Sequence, residues 1–407
     1  MRRSVRLWTL LLVSTLPVMT GAALSPALPN LEAVYQHWPD ATRWVQWSLT
    51  TPALFTAIGA PLAGVLVDRV GRRPILLGAL GLFGVSGVAG GLMVSLPVLL
   101  GTRALLGLAA GGVATVATTL VVDYYGDDRS GVLGWQAAIM AAGAMAYTVL
   151  GGALTDLSWR GPFVLHLLAL CFLVPAYRWL PEPDETVGSS SARDDGADPE
   201  ETSVPWVLIG GLYGVAFVSL AVFNLLRVQL PYYLEAMGVQ SGVGLGAVLS
   251  VGTVTGVAAS MGYEHVKAGL GYRGTLAVVL GLFAAGFAGI AGATAVPVVG
   301  GGIAVAGGGM GLLIPTLNDW VGERAPAAAR GRILGALSTL RNLGRFASPL
   351  LAQPIAVSYG PAAPFATAAL VMIALAVGVG VGQGAPPLPL WLRTWLPRPL
   401  CPSGSKP

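Results

Sequence analysis

Charged side chains are scarce in this sequence. They make up 10% of its 407 residues, while hydrophobic residues make up 54%; soluble domains carry about 25% charged residues. Apolar runs of roughly 20 residues recur along the chain, and each is long enough to cross a hydrocarbon layer of roughly 30 Å as a helix. These runs are continuous rather than alternating, which favours helices over a closed barrel. The composition therefore predicts an all-α integral membrane protein.

Several functional motifs are also absent. The only cysteines, Cys171 and Cys401, fit neither a disulfide framework nor a metal site. The sequence contains no Gly-x-x-x-x-Gly-Lys-Ser/Thr loop for nucleotide phosphates and no pairing of a nucleophile with a base. Its net charge of +4 is scattered over short loops and forms no patch of the kind that binds nucleic acid. We therefore expect no enzyme, no ATP-driven pump, no metal, no cofactor and no nucleic-acid partner.

Hydropathy predicts twelve transmembrane helices. They cover residues 7–28, 44–67, 74–94, 98–122, 132–154, 163–180, 205–228, 244–262, 275–294, 297–317, 332–354 and 363–383. The first run has a second interpretation, because the preceding Arg2, Arg3 and Arg6 and the small residues 21–23 resemble a signal peptide. Cleavage there would leave an odd number of spans, so a retained first helix is favoured.

The basic residues predict the orientation of the chain. With the N-terminus in the cytoplasm, only Arg43 and Arg160 of the 23 lysines and arginines fall in outer loops. This distribution satisfies the rule that cytoplasmic loops are enriched in positive charge. We therefore expect a multi-pass protein of the plasma membrane with both termini in the cytoplasm.

A polar interruption divides the spans six and six. Residues 181–204 are acidic and poor in apolar side chains, and such a segment cannot bury enough surface to fold. We expect an N-terminal six-helix bundle at 1–180, a disordered cytoplasmic linker at 181–204, a C-terminal six-helix bundle at 205–383 and a tail at 384–407.

The two halves resemble each other at an offset of about 201 residues. The matching pairs are Gly107 with Gly308, Arg129 with Arg330, Leu133 with Leu334, Gly134 with Gly335, and Gly143 with Gly344. Glycine and leucine match easily by chance in this composition, so the arginine pair is the most informative. Because six helices separate the repeats, they have the same orientation, which implies two pseudo-symmetric bundles around a central site.

The connection after the second span carries a specific pattern. It reads GVLVDRVGRR and contains Gly64, Asp68, Arg69, Gly71, Arg72 and Arg73. This pattern resembles the signature loop of the major facilitator superfamily, and the chain is similar to the twelve-helix drug:proton antiporter branch of that family. Asp68 follows a helix C-terminus, where the helix dipole disfavours an anion, so it needs a partner. The resemblance implies that the cytoplasmic start of the eleventh helix is this partner and that their contact latches the outward-facing state; the alternative is a plain basic loop.

Further charges at the cytoplasmic ends match this family. Asp123 and Arg129 follow the fourth span, and Glu323 and Arg330 are their counterparts in the second half. The resemblance implies salt bridges that exchange during transport, and the alternative is solvated, unpaired charges. The second-half loop keeps Gly271 but lacks Asp-Arg, so we expect a weaker latch there.

Arg103 lies in the fourth span, in a segment that resembles a family motif with Leu106 in place of the usual glutamine. A charged residue inside the membrane is costly and by default suggests a function. The resemblance implies a part in proton coupling. The alternative is an arginine whose side chain extends to the outer interface, which is about 9 Å away along the helix.

The fifth span is rich in glycine. Gly134, Gly143, Gly151 and Gly152 surround Tyr147-Thr148, and the spacing resembles an antiporter motif in which Gly-Pro normally stands at that dipeptide. We expect Gly107, Gly143, Gly151 and Gly152 to serve helix packing, which is also the alternative interpretation of the motif.

The seventh and eleventh spans supply polar candidates for a binding site. Asn224 is expected to face the cavity, and Arg227 to lie at the outer rim. Arg341 and Arg345 share one helix face near the midplane, where exposure to lipid is prohibitive. We therefore expect both to line a central cavity; the alternative is a structural pair bonded to carbonyls or gate acids. The predicted set for substrate and coupling comprises Arg103, Tyr147, Asn224, Arg341 and Arg345. Arg227 is not part of this set.

The predicted function is secondary transport of a small molecule by alternating access, coupled to a proton and directed outward. No Asp or Glu falls in the middle of a predicted span, which favours one alternative, an organic-anion transporter or uncoupled facilitator with a basic cavity. A second alternative is a receptor or scaffold without transport activity, against which the intact Asp68 loop argues. We expect a monomer whose partners are its substrate, the coupling proton and the lipid bilayer.

Overall fold

The computed structural model describes residues 2–182, 205–326 and 329–381. Regular structure in these ranges is helical, without strands, so the prediction of an all-α protein is confirmed. The helices are α1 Arg2–Val13, α2 Leu16–Ala22, α3 Leu28–Val34, α4 Ala41–Val70, α5 Arg72–Gly90, α6 Leu96–Tyr125, α7 Arg129–Leu157, α8 Gly161–Val164, α9 Leu167–Trp179, α10 Trp206–Phe223, α11 Leu225–Val228, α12 Leu230–Ala236, α13 Gly242–Met261, α14 Tyr263–Ala291, α15 Val296–Arg324, α16 Arg330–Tyr359 and α17 Ala363–Val381. The predicted linker from residue 183 onward and the predicted tail lie outside the described residues.

Ten segments of the described chain are long and apolar enough to cross a membrane. They comprise α1–α3 taken together, α4, α5, α6, α7, α8–α9, α10–α12, α13, α14 and α15. They match the first ten predicted spans. At the two remaining predicted positions, α16 contains Arg341 and Arg345 and is less apolar, and α17 is a shorter apolar helix. The count of twelve therefore stays a prediction.

Two glycine turns occupy corresponding places in the two halves. Gly71 separates α4 from α5 with φ 95° and ψ 166°, and Gly271 interrupts α14 with φ 66° and ψ 179°. Glycine adopts such positive φ values without a steric penalty. Hydropathy predicts a loop at residues 263–274, whereas α14 begins at Tyr263. Within the segment before Gly271, Tyr263 and Lys267 bond to Asp319 of α15.

The first and seventh spans are both interrupted. In the first span, Pro17 lies in the first turn of α2 and Pro29 in the first turn of α3. In the seventh span, Pro231 lies in the first turn of α12. Proline lacks an amide hydrogen and is tolerated in the first turn of a helix, where that hydrogen has no partner. The sequence therefore divides each span into short helices near the centre of the molecule.

Small residues allow the helices to approach closely. A Cβ at Gly107 of α6 would collide with the carbonyl oxygen of Pro52 of α4, so only glycine fits at this crossing. Buried apolar side chains form one large cluster from residues 10–180 and another from residues 209–372. Contacts between the halves join α7 to α13 and α4 to α16.

Candidate functional site

A central cavity of about 840 Å³ lies between the two halves. The first half contributes threonines from α2, α4 and α6. The second half contributes Asn224 from the junction of α10 and α11, Arg227 from α11, and Asn342 and Arg345 from α16. A neighbouring cavity of about 850 Å³ shares Arg227. The lining residues of both cavities include no Asp or Glu.

The halves meet tightly at the predicted outer end. A Cβ at Gly152 of α7 would overlap the carbonyl oxygen of Gly242 of α13. The carboxylate of Asp156 accepts hydrogen bonds from the amides of Gly242 at 2.6 Å and Val243 at 3.2 Å, and from the Ser241 hydroxyl at 3.2 Å. These amides begin α13, where a helix favours negative charge. Asp156 therefore fastens the two halves together.

A glutamine cluster closes the other side of the same end. Gln353 of α16 accepts hydrogen bonds from Gln46 of α4 at 2.8 Å and from Gln229 at 3.2 Å. At the opposite, predicted cytoplasmic end, the cavity linings include Val122 and the strongly exposed Met261. The cavity therefore opens towards the predicted cytoplasmic side.

Of the two α16 arginines expected in the cavity, Arg345 lines it, whereas Arg341 is not among the lining residues of either large cavity. Arg345 lines the cavity, and its Nη1 lies 3.4 Å from the Asn342 amide oxygen. Arg341 donates to the amide oxygen of Asn318 at 3.2 Å, and Asn224 donates to the Arg345 carbonyl at 3.0 Å. The bonded acceptors are neutral, and no ion pair involves these arginines within the described ranges.

The expectation that Arg227 lies at the outer rim is wrong. Arg227 lines both large cavities. The seventh span continues to Ala236, nine residues and about 14 Å beyond Arg227 along a helix. Hydropathy ended that span at residue 228 because Arg227 and Gln229 lower the local average.

The signature loop is held by neighbours within the first half. Arg72 forms a 2.5 Å ion pair with Asp123. Glu182, beyond α9, accepts hydrogen bonds from the amides of Arg72 and Arg73 at 2.6 and 2.8 Å and so caps α5. Asp68 and Arg69 are exposed, and Asp68 has no bonded partner in the described part of the chain.

The corresponding region of the second half uses different residues. Asp319 accepts from Lys267 and from the Tyr263 hydroxyl, both at 2.9 Å, and Glu323 accepts from the Tyr272 hydroxyl at 2.6 Å. Asp319, which belongs to none of the sequence motifs, lies five residues before the end of α15. Arg129 and Arg330 are exposed and make no ion pair with other described residues.

Arg103 lies inside the first half rather than at an interface. Its side chain is 1% exposed, and its guanidinium carbon sits 4.6 Å from the centre of the Phe163 ring. None of its three guanidinium nitrogens has a hydrogen-bond partner among the described residues. His166 lies nearby, and its Nε2 likewise has no partner in the described part of the chain. Arg103 therefore does not extend to the outer interface in this conformation, and it is not among the residues that line the central cavity.

The fifth-span residues lie where α7 contacts the interrupted first span. The Tyr147 hydroxyl is 2.6 Å from that of Thr15. A Cβ at Gly143 would press against Thr15, and one at Gly151 would overlap Ala23. By contrast, a Cβ at Gly64 would meet nothing within 4 Å. Gly143, Gly151 and Gly152 therefore lie at close helix contacts, whereas Gly64 and Gly134 face open space.

Comparison with known sequences gives consistent matches. The family model described as Major Facilitator Superfamily matches residues 10–349. An uncharacterised MFS-type transporter of Mycobacterium tuberculosis is 31% identical over 192 residues, which is 45% of this chain and 27% of that relative. The chain thus spans about a quarter of the length of the first relatives it matches. The tetracycline resistance protein, class G, of Vibrio anguillarum is 27% identical over 84% of this chain and 87% of its own length.

A solved structure has the same architecture. The human organic anion transporter MFSD10 (TETRAN) superposes with a TM-score of 0.68 at 20% sequence identity, covering 92% of this chain and 99% of that one. At this identity the similarity concerns the fold alone.

Proposed function

The chain belongs to the Major Facilitator Superfamily, and from this premise we propose that it is a secondary active transporter that moves a small molecule across the membrane by alternating access. One observation carries this proposal: the halves meet at one end and enclose a cavity that opens at the other. A transporter of this kind exposes a central site to one side at a time.

Twelve spans in two six-helix bundles complete the proposed architecture. The first bundle occupies residues 1–180 and the second residues 205–383, with the linker at 181–204 and the tail at 384–407. The packing of α16 on α4 and α10, and of α17 on α14, supports their assignment as the last two spans. The protein is a multi-pass membrane protein, and we assign it to the plasma membrane as a monomer with both termini in the cytoplasm.

Two acidic latches account for the switch between states. Asp156 accepts a hydrogen bond from the Gly242 amide at the N-terminus of α13 while the outer end is closed. Asp68 has no partner among the described residues in the same conformation, and we assign it to the N-terminus of α16 when the cytoplasmic end closes. The two contacts are related by position, because Asp68 ends the second span and Asp156 the fifth, on opposite sides. Each contact exists only when the other is broken.

Export with a proton as the coupling ion is the proposed mode. It is supported by the resemblance to drug:proton antiporters and by the relative named for tetracycline resistance. Arg103, Tyr147 and Asn224 remain candidates for coupling or substrate contacts.

Purified protein in liposomes with a trapped pH dye tests this proposal. Organic anions and lipophilic cations are added outside, and we expect substrate-dependent proton movement in wild-type protein and little in Asp68→Asn. Movement of a labelled compound without protons would indicate an uncoupled facilitator. Absence of any movement of either, with correctly folded protein, would overturn the transporter assignment.

A second candidate, transport of organic anions, is favoured by one specific observation. The cavity linings contain arginine but no carboxylate. Lipophilic cations are ordinarily attracted by a carboxylate, so a basic cavity favours the opposite charge.

A further inference from the structure

Arg227 occupies the point where the internal cavities meet. It lines both large cavities and a third, small one beside Ser25. It belongs to α11, a helix of four residues between interruptions at Asn224 and Gln229. In transporters, interrupted helices near the midplane provide binding sites, because their unwound ends leave polar groups free for a ligand.

The other half of the molecule holds Arg227 in place. The Ser25 hydroxyl, at the interruption of the first span, donates to the Arg227 carbonyl at 2.7 Å. A Cβ at Gly21 would lie 3.2 Å from Nη1 of Arg227, so the guanidinium group reaches across to α2. This side chain therefore extends from the second half to the surface of the first.

The charge in this region is not balanced. Arg227 and Arg345 line one cavity, and Arg341 lies one helical turn from Arg345. The Arg227 guanidinium has no hydrogen-bond acceptor among the described residues, and Arg345 has only an amide oxygen at 3.4 Å. Clustered arginines away from bulk water attract a counter-ion strongly.

The opposite wall offers hydrogen-bond acceptors. Thr115, Thr118 and Thr119 line the cavity, and each donates its hydroxyl hydrogen to a helix carbonyl, at 3.3, 2.9 and 3.0 Å. Their oxygens retain lone pairs but have no hydrogen left to donate. This wall therefore suits a ligand with N–H or O–H groups.

We infer that Arg227 and Arg345 together bind the anionic group of the transported substrate, a carboxylate or a phosphate, and that hydrogen-bond donors in the rest of this substrate face the threonine wall. Guanidinium groups bind such oxyanions through two parallel hydrogen bonds. The inference rests on the proposed transport function and defines its substrate class as organic anions that carry donors.

Direct binding to purified protein tests the inference. The probe is radiolabelled p-aminohippurate, which has a carboxylate and N–H donors, measured by scintillation proximity. We expect saturable binding, weakened roughly tenfold to a hundredfold in Arg227→Gln and in Arg345→Gln, as for loss of a charged hydrogen-bond partner. Arg227→Lys retains the positive charge but not the two parallel N–H donors of the guanidinium group, so this variant is expected to bind p-aminohippurate with intermediate affinity. Arg178→Gln, an exposed arginine at the end of α9, serves as the matched control with wild-type binding.

Competition with unlabelled compounds distinguishes a carboxylate from a phosphate ligand and tests binding of a cation instead. Displacement by phenyl phosphate at lower concentration than by benzoate assigns a phosphate, and the reverse order assigns a carboxylate. Saturable binding of tetraphenylphosphonium with none of the anions overturns the inference, as does anion binding that Arg227→Gln and Arg345→Gln leave unchanged. Absence of saturable anion binding overturns it as well.

Failure of the inference is distinguishable from failure of the proposed function. Proteoliposomes that move a cation but not an anion retain the transporter assignment and lose the anion site. Anion binding that depends on Arg227, without movement of any labelled compound, retains the site and loses the transporter assignment.

Discussion

Removal of the Asp156 carboxylate is expected to open the predicted outer end of the molecule. Asp156 accepts three hydrogen bonds from the start of α13, two of them from the amides of Gly242 and Val243. The first amides of a helix have no carbonyl partner within it, and a carboxylate there also interacts favourably with the helix dipole. In Asp156→Ala only water remains to satisfy these amides, and water does not hold the halves together.

The size of the effect follows from the exposure of this site. Hydrogen bonds to a charged group contribute about 1.5–3 kcal/mol, whereas exposed ion pairs contribute less than about 1 kcal/mol. Asp156 is exposed, so a net loss of about 1–2 kcal/mol is expected for its three bonds together. Such a loss changes the ratio of closed to open outer ends by a factor of about 5–30.

Distances between spin labels measure this shift. Labels at Leu157 and Gln240, exposed positions on either side of the contact, are introduced after removal of the native cysteines, including the exposed Cys171. Asp156→Ala is expected to populate a longer distance that is rare in wild-type protein. Asp40→Ala removes another exposed acid from the same end and is expected to leave the distribution unchanged. An identical distribution in Asp156→Ala and wild type would refute the latch.

Three further outcomes are expected. Asp68→Asn impairs transport in proteoliposomes at nearly normal expression, and wild-type rates would contradict the cytoplasmic latch. Gly152→Val forces a side chain against Gly242 and reduces transport, whereas Gly281→Val, where a Cβ meets nothing within 4 Å, does not; equal rates would argue against the outer contact. Arg103→Met removes a buried charge that has no hydrogen-bond partner among the described residues, so the Tm stays unchanged or rises, and a marked fall in Tm would contradict this reasoning.

Local patterns predicted much of the architecture. The order of the apolar runs gave ten spans that coincide with helices, because a bilayer-spanning helix satisfies its own backbone and its signal is contained in one segment. The predicted span at 332–354 also coincides with a helix, α16, although Arg341 and Arg345 make this helix less apolar than the ten. The turn at Gly71 was predictable because its positive φ requires a residue without a Cβ.

The contacts between the halves were not predictable in the same way. Asp156 was overlooked because its partner, the start of α13, is 86 residues away and no local pattern links the two. Arg227 was placed at the outer rim because a charged residue lowers the local hydropathy, whereas in the structure the seventh span continues through α11 and α12 to Ala236. Pro231 is the sequence signal that the seventh span continues beyond residue 228, because proline is common at the first position of a helix.

Alternating access is tested most directly by two label pairs, one at each end of α7 and α13. One pair, at Leu157 and Gln240, reports the predicted outer end, and the other, at Gly131 and Met261, reports the predicted cytoplasmic end. In lipid nanodiscs, Asp156→Ala is expected to lengthen the first distance and shorten the second in the same fraction of molecules. Changes confined to one end, or distances that lengthen at both ends, would contradict the account.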